Sequence, residues 1–179
     1  MIWSDIYRLV IDKLPGNAAL ADQRPFIFID AGKQLLQWID IEEAENRTYS
    51  VSTAANGLGN RIDSLKTPIG IHRIKQKIGG GEPLGMVFSA REPTGRVSNK
   101  TDNREEDEIT SRILWLDGLE QGFNNGGVHD SYSRYIYIHG TSDEKRIGQR
   151  VSHGCIRMKN ADVIELFDEV LVNDFVIIQ

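Results

Sequence analysis

Short apolar runs separated by glycine- and proline-containing turns limit most strongly what this chain can fold into. The clearest run is Tyr135-Ile136-Tyr137-Ile138, whose residues are all β-branched or aromatic, the types that favour strands. Turns such as Thr67-Pro68-Ile69-Gly70 and Gly79-Gly80-Gly81 divide the runs. The other candidate strands are residues 26–29, 35–41, 49–52, 71–78, 84–90, 109–116 and 175–178. The pattern therefore predicts a mainly β domain with minor α content, built as a sandwich or a barrel.

Only two segments have helical periodicity. Residues 1–14 place apolar side chains on one face before Pro15 and Gly16, and a second helix follows Asn160, which we expect to be its N-cap. We predict an N-terminal helical extension over residues 1–24 and a β domain over residues 25–179. Three polar or glycine-rich segments are expected as connections: a loop over 56–66, an exposed excursion over 91–107 and a mobile loop over 121–130.

Length and charge exclude several functional classes. The 179 residues suit one domain, and 21 basic against 26 acidic residues give a net charge of −5, which argues against nucleic-acid binding. The lone cysteine excludes an internal disulfide, and no apolar run approaches the roughly 20 residues of a membrane span. The first residues lack the pattern of a signal peptide. We therefore expect a cytoplasmic protein, or a periplasmic or cell-wall protein if the N-terminus is truncated.

The residues with the clearest chemical potential lie between positions 135 and 160. His139 and Gly140 follow the strongest strand, and Ser152-His153-Gly154-Cys155 precedes the second helix. A thiol is mostly protonated at neutral pH, so a histidine within hydrogen-bond reach is needed to activate it as a nucleophile. Backbone N–H groups around residues 153–155 could stabilise an oxyanion. Arg157 could bind a carboxylate with its planar guanidinium.

Other interpretations of the same residues remain open at this point. A lone cysteine is often a small buried apolar residue, and His139 could be a hydrogen-bonded core residue. Gly154 could serve only a turn, and Arg157 could be a solvated surface charge. A zinc site made of His139, His153 and Cys155 is chemically allowed, but no second cysteine supports it.

The run SHGCIRM, with HGT upstream, resembles the signature of the L,D-transpeptidase catalytic domain, also called the YkuD or ErfK family. The segment YSVSTAANGLGNRIDSLKTPIGIHRI resembles the stretch that precedes it in the family. FIFIDAGKQLLQWI is similar to the opening strands, so the resemblance covers roughly residues 25–179. His72 departs from the pattern, since the family has an aromatic residue there.

The resemblance implies a role for each motif residue. Cys155 matches the nucleophile, His139 the general base, and Gly140 the residue whose carbonyl orients that base. His153 and Gly154 match residues beside the oxyanion hole, with Ser152 next to them. Arg157 matches a position facing the substrate groove. The expected fold is the family's β-rich catalytic domain, with a lid within residues 91–133 and short helices.

The family's reaction is acyl transfer on peptidoglycan stem peptides. The thiolate attacks the carbonyl of the third stem residue, expels the terminal D-alanine and forms a thioester that passes to an amine. Two alternatives stay open: an L,D-carboxypeptidase that hydrolyses tetrapeptide muropeptides, and a non-catalytic module that binds the stem. The resemblance implies no metal or cofactor, and it makes acylation of Cys155 by carbapenems plausible.

Overall fold

The computed structural model describes residues 25–98 and 107–179 as a mainly β domain, which confirms the predicted fold class. The predicted N-terminal helix lies outside the described residues. Two short 3₁₀ turns cover Gly127–His129 and Glu144–Arg146. The strands and the α-helix, in chain order, are β1 (Phe26–Asp30), β2 (Leu35–Asp40), β3 (Glu45–Ser52), β4 (Gly70–Ile78), β5 (Met86–Ser89), β6 (Glu92–Val97), β7 (Ile109–Gly118), β8 (Tyr137–Thr141), β9 (Ile156–Met158), α1 (Asn160–Glu169) and β10 (Phe175–Ile178).

Eight of these strands close into a barrel-like ring. The sheet order is β4-β10-β1-β2-β3-β9-β8-β7-β5-β6, and β4 also pairs with β7. Closure leaves those eight strands without a free edge, while β5 and β6 continue beyond β7 as a hairpin. Two neighbouring pairs are parallel, β1 with β10 and β8 with β9.

The central strands are buried on both faces, which explains their continuous apolar runs. On β1, Ile27 and Ile29 belong to the main core, whereas Phe26 and Phe28 pack into a second cluster on the opposite face. A third cluster contains Met86, Phe88, Ile113, Trp115 and Tyr137, and Cys155 packs against it. This third cluster connects the fold to the candidate site.

The helix α1 differs slightly from its prediction. Lys159 occupies the N-cap position and Asn160 is the first helical residue, so the predicted N-cap is wrong by one position. The Asn160 side chain makes tertiary hydrogen bonds instead: its Oδ1 accepts from Thr110 and Ser111, and its Nδ2 donates to the Thr141 carbonyl and to Glu144. Across the part of the chain that is described, no helix has the length and apolar character to cross a membrane.

Two predicted boundaries also need correction. The excursion over 91–107 is largely exposed where it is described, but residues Glu92–Val97 form the strand β6 and pair with β5. Because this strand lies on the surface, its residues are mostly polar, and their pattern did not predict a strand. The strand predicted to start at Tyr135 starts at Tyr137, since Tyr135 has a φ of 57° and cannot be part of an extended strand.

Candidate active site

Cys155 lies directly before β9, in a notch against the start of β8. Its Sγ accepts a hydrogen bond from the Tyr137 N–H at 3.4 Å and donates to the Tyr135 carbonyl at 3.4 Å. The residue is partly exposed and borders a cavity of about 640 Å³. The predicted nucleophile is therefore held by backbone groups and remains open to a ligand.

His139 lines the same cavity from the neighbouring strand β8. The parallel register sets Ile138 beside Ile156 and His139 beside Arg157, so residues 18 positions apart in sequence lie on adjacent strands. His139 is buried, with 2% of its surface exposed, and its Nδ1 is 2.7 Å from the Gly140 carbonyl. A carbonyl only accepts, so Nδ1 carries the proton and Nε2 is left as a base.

The turn before Cys155 is held by the Ser152 hydroxyl. Ser152 Oγ donates to the Cys155 carbonyl at 2.6 Å and accepts from the Gly154 N–H at 3.2 Å. Gly154 has a φ of 134°, and a Cβ there would come within 3.4 Å of the Lys66 carbonyl. The sequence therefore needs serine and glycine at these positions to shape the turn, while His153 is exposed and lines the same cavity as Cys155.

The environment keeps both reactive groups neutral. Burial raises the pKa of the Cys155 thiol to about 11, although the Tyr137 N–H, Arg157 and Arg134 each act in the opposite direction. Burial lowers the pKa of His139, against the attraction of Asp107 and the hydrogen bond to Gly140. The free site therefore favours a thiol beside a neutral imidazole over a preformed thiolate–imidazolium pair.

Arg157 is buried and already has a partner. Its Nε lies 2.8 Å from Asp107 Oδ2, and the two side chains are only 7% and 12% exposed. Thr141 Oγ1 donates to Oδ1 of the same Asp107. Arg157 lines the cavity, but Asp107 neutralises much of its charge.

Arg134 is a site residue that the sequence did not reveal. It borders the cavity, and its guanidinium donates to the carbonyls of Gly59, Asn60 and Lys66 at 3.3, 2.9 and 2.6 Å. These bonds tie the 56–66 loop to the wall beside Cys155. Among the described residues of the cavity lining, it makes three arginines with Arg146 and Arg157 against one carboxylate, that of Asp107. The cavity suits an anionic ligand although the chain is acidic overall.

Asp107 and Arg134, the two residues of the site that the sequence analysis did not identify, had no local sequence signal. Asp107 ends a polar segment and Arg134 stands in a Ser-Arg-Tyr context, and each acquires its role only through partners that are tens of residues distant. Within residues 25–98 and 107–179, no group of three or more His, Cys, Asp and Glu side chains is arranged to hold a metal ion. Cys155 and His139, the nucleophile and base expected from the sequence, border one cavity.

The chain is similar to proteins of a known family. The family model of the L,D-transpeptidase catalytic domain, YkuD, matches residues 24–178. Bacillus subtilis (strain 168) YqjB, which is named for L,D-transpeptidase activity, is 28% identical over 178 residues, or 99% of this chain and 80% of that protein.

Solved L,D-transpeptidase structures have the same fold. The Mycobacterium tuberculosis L,D-transpeptidase 3 in complex with a faropenem-derived adduct aligns with a TM-score of 0.54 at 14% identity, covering 87% of this chain and 60% of that chain. An L,D-transpeptidase from Mycobacterium smegmatis gives a TM-score of 0.51 at 17% identity, covering 87% and 58%. The chain thus spans about three fifths of the length of these solved chains.

Proposed function

Because the chain belongs to the L,D-transpeptidase catalytic-domain family, we propose that it is a cysteine acyltransferase that acts on peptidoglycan stem peptides. Family and fold support peptidoglycan transpeptidase activity in general. The observation that carries the specific mechanism is that Cys155 and His139, with Nδ1 of the histidine donating to Gly140, border one arginine-lined cavity.

The first half-reaction forms a thioester. Nε2 of His139 removes the Sγ proton as the sulfur attacks the carbonyl carbon of the third stem residue. Since the thiol is neutral in the free site, proton transfer accompanies the attack and does not precede it. The C–N bond then breaks, the His139 proton goes to the leaving D-alanine amine, and the acyl group stays on sulfur.

The negative charge of the intermediate needs donors near the sulfur. The Gly154 N–H already donates to Ser152 Oγ, so we assign the oxyanion to the N–H groups of the flanking His153 and Cys155. In this assignment Ser152 positions the turn, and His153 contributes its backbone. Arg157 and Arg134 contribute a positive potential that favours the developing charge and the carboxylates of the stem.

In the second half-reaction an acceptor attacks the thioester. An amine acceptor gives its proton to His139 and forms a new amide, and the proton then returns to the sulfur. With water as acceptor the product is a free tripeptide, the L,D-carboxypeptidase reaction. Both use the same residues, so they differ in what enters the cavity at this step.

The experiment is incubation of the purified protein with a disaccharide-tetrapeptide, followed by mass spectrometry. Cross-linked dimers indicate transfer, and tripeptide with free D-alanine indicates hydrolysis. Cys155→Ala should reduce either product by more than about 10³-fold, because it removes the nucleophile. Lys33→Gln, at an exposed turn, is the matched control and should retain activity.

Two results would contradict the proposal. Equal turnover in Cys155→Ala and the wild type would remove the nucleophile assignment. Binding of the tetrapeptide with no product from either protein would favour a non-catalytic stem-binding module. Imipenem provides an independent readout, since we expect an acyl adduct on Cys155 of the wild type and none on Cys155→Ala.

A further inference from the structure

Arg91 stands in the tight turn between β5 and β6. Ala90 and Arg91 have φ values of 48° and 71°, a left-handed pair that reverses the chain between the two strands. The turn brings the Arg91 side chain over an aromatic cluster formed by Trp115, Tyr132, Tyr135 and Tyr137. Ala90 and Arg91 thus both adopt the left-handed conformation, which is rare for residues other than glycine.

The aromatic cluster fixes the guanidinium through two ring contacts and one hydrogen bond. The Arg91 Cζ lies 5.0 Å from the ring centroid of Trp115 and 5.0 Å from that of Tyr135. Its Nη1 donates to the Tyr137 hydroxyl at 3.2 Å. Cation–π contacts of this kind orient an arginine without neutralising its charge.

The guanidinium keeps most of its hydrogen-bonding capacity. Arginine has five N–H donors, and the described residues accept only the one that reaches Tyr137. Glu82 and Glu92 border the same cavity of about 420 Å³, yet neither forms an ion pair with Arg91. Among the described residues, Arg91 therefore combines a fixed position, a full charge and donors that have no protein acceptor.

Two tyrosines connect this arginine to the reactive sulfur. Tyr135 carries one of the rings beneath Arg91, and its carbonyl accepts from Sγ of Cys155. Tyr137 accepts from Arg91 through its hydroxyl, and its N–H donates to the same Sγ. Tyr135 also borders the Cys155 cavity, so Arg91 contacts a residue of that cavity's lining.

We propose that Arg91 is a substrate-binding residue that takes a carboxylate of the stem peptide. This inference rests on the proposed function and names a contact for it. The arginines nearer the sulfur suit this task less well, because Arg157 is paired with Asp107 and Arg134 is bonded to three loop carbonyls. The carboxylate belongs either to the donor's terminal residue or to the acceptor, and the two sources give different kinetics.

A binding measurement tests the contact without turnover. In Cys155→Ala, the Arg91 Nε–H resonance is followed by NMR while N-acetyl-D-alanine or its C-terminal amide is added. We expect a saturable shift with the acid and none with the amide, because two charge-assisted hydrogen bonds need the carboxylate. No shift with the acid, or equal shifts with both compounds, overturns the proposal even if the wild type is fully active.

Kinetics identify the source of the carboxylate. Arg91→Met should lower kcat/KM about 10- to 100-fold for the step that uses the bound acid, and have little effect on the matching amide. If Arg91→Met lowers kcat/KM only for thioester formation from a donor that ends in a carboxylate, Arg91 binds the donor. If it lowers kcat/KM only for transfer onto an acceptor that carries a carboxylate, Arg91 binds the acceptor.

Arg91→Lys and Lys33→Gln serve as controls. The lysine variant keeps the charge but loses the planar fork, so it should recover only part of the discrimination between acid and amide. Lys33→Gln removes one charge elsewhere and should leave that discrimination intact. An equal loss on acid and amide in Arg91→Met means that Arg91 only packs the wall, which overturns the proposal; a wild type that turns over no stem peptide instead refutes the proposed function.

Discussion

The protonation state of Cys155 determines how its chemistry begins. Its Sγ is held between two backbone groups of the 135–137 segment, and burial raises its pKa to about 11. His139, with its pKa lowered by burial, is equally uncharged at neutral pH. In the proposed reaction, the proton therefore moves only when attack on a carbonyl makes the transfer favourable.

The neutral thiol leads to a test by alkylation. The iodoacetamide rate at Cys155 should rise about tenfold per pH unit from pH 7 to near pH 10, because the thiolate fraction is still growing over that range. The same single cysteine in the urea-unfolded chain is the control, and its rate should level off above its ordinary pKa of about 8.5. Mass spectrometry of timed samples measures both rates. A plateau below pH 8 in the folded protein would indicate a preformed thiolate.

At this scale the sequence predicted two residues that border one cavity, Cys155 and His139, but not the side chains that surround them. Cys155 and His139 were identifiable because a lone cysteine, two histidines and adjacent glycines stand close together in one segment. Arg91, Arg134 and Asp107 were not identifiable from the sequence, because arginine and aspartate are common surface residues. Only tertiary contacts, such as the bonds of Arg134 to the 56–66 loop, distinguish them.

At the scale of elements, strand β8 holds the candidate site against β7 and α1. A Cβ on Gly140 would lie 2.5 Å from the Thr110 carbonyl on β7 and 2.7 Å from Asn160 Oδ1 on α1. The Gly140 carbonyl also accepts the Nδ1 proton of His139. One glycine therefore allows three elements to approach closely and fixes the tautomer of the base.

Gly140→Ala should separate β8 from its neighbours. We expect the free energy of unfolding to fall by about 1–3 kcal/mol, as for other overpacked sites, and activity to fall with it because His139 loses its alignment. Urea unfolding and the tetrapeptide assay measure the two effects. Gly80→Ala is the matched control, since a Cβ there would meet Phe167 at an ordinary 3.5 Å. Equal stability of the two variants would contradict this account of β8.

Elements with buried apolar residues were predictable, and the surface elements were not. The runs that became β1, β4, β7 and β10 fill the core, so burial selected the residue types that reveal a strand. The strand β6 is polar and exposed, and it is held by pairing with β5 and by side-chain contacts such as the ion pair of Arg96 with Glu108. The same logic explains β3, whose exposed first half extended it beyond the predicted residues 49–52 to Glu45.

At the scale of the whole molecule, closure of the ring depends on one strand. β4 pairs with β10 on one side and β7 on the other, and no local pattern in the sequence indicates that double pairing. His72 lies on β4, fully buried, with Nδ1 donating to the Gly70 carbonyl at 3.2 Å and Nε2 accepting from the Ser131 hydroxyl at 3.0 Å. It links β4 to the loop that also carries Arg134.

Burial makes His72 a source of acid sensitivity. Its pKa is lowered to about 4 by burial, with a smaller contribution from nearby Arg134, whereas the unfolded chain has a pKa of 6.5 there. Between these values the unfolded state binds a proton that the folded state does not. The contribution of His72 to the free energy of unfolding is therefore fully present above pH 6.5. It falls by about 3 kcal/mol in total as the pH falls towards 4. His139 adds to the same loss, because its pKa is also lowered.

Urea unfolding at pH 7, 5.5 and 4.5 measures this linkage. His72→Gln cannot titrate, so its free energy of unfolding should be lower at pH 7, where hydrogen bonds are altered, but should fall less steeply towards pH 4.5. His129→Gln makes the same substitution at a partly exposed histidine and should keep the wild-type slope. The pH dependence of the free energy of unfolding that remains in His72→Gln comes from His139 and the carboxyl groups. Parallel curves for the wild type and His72→Gln would show that the buried imidazole on β4 does not govern the acid stability of the closed ring.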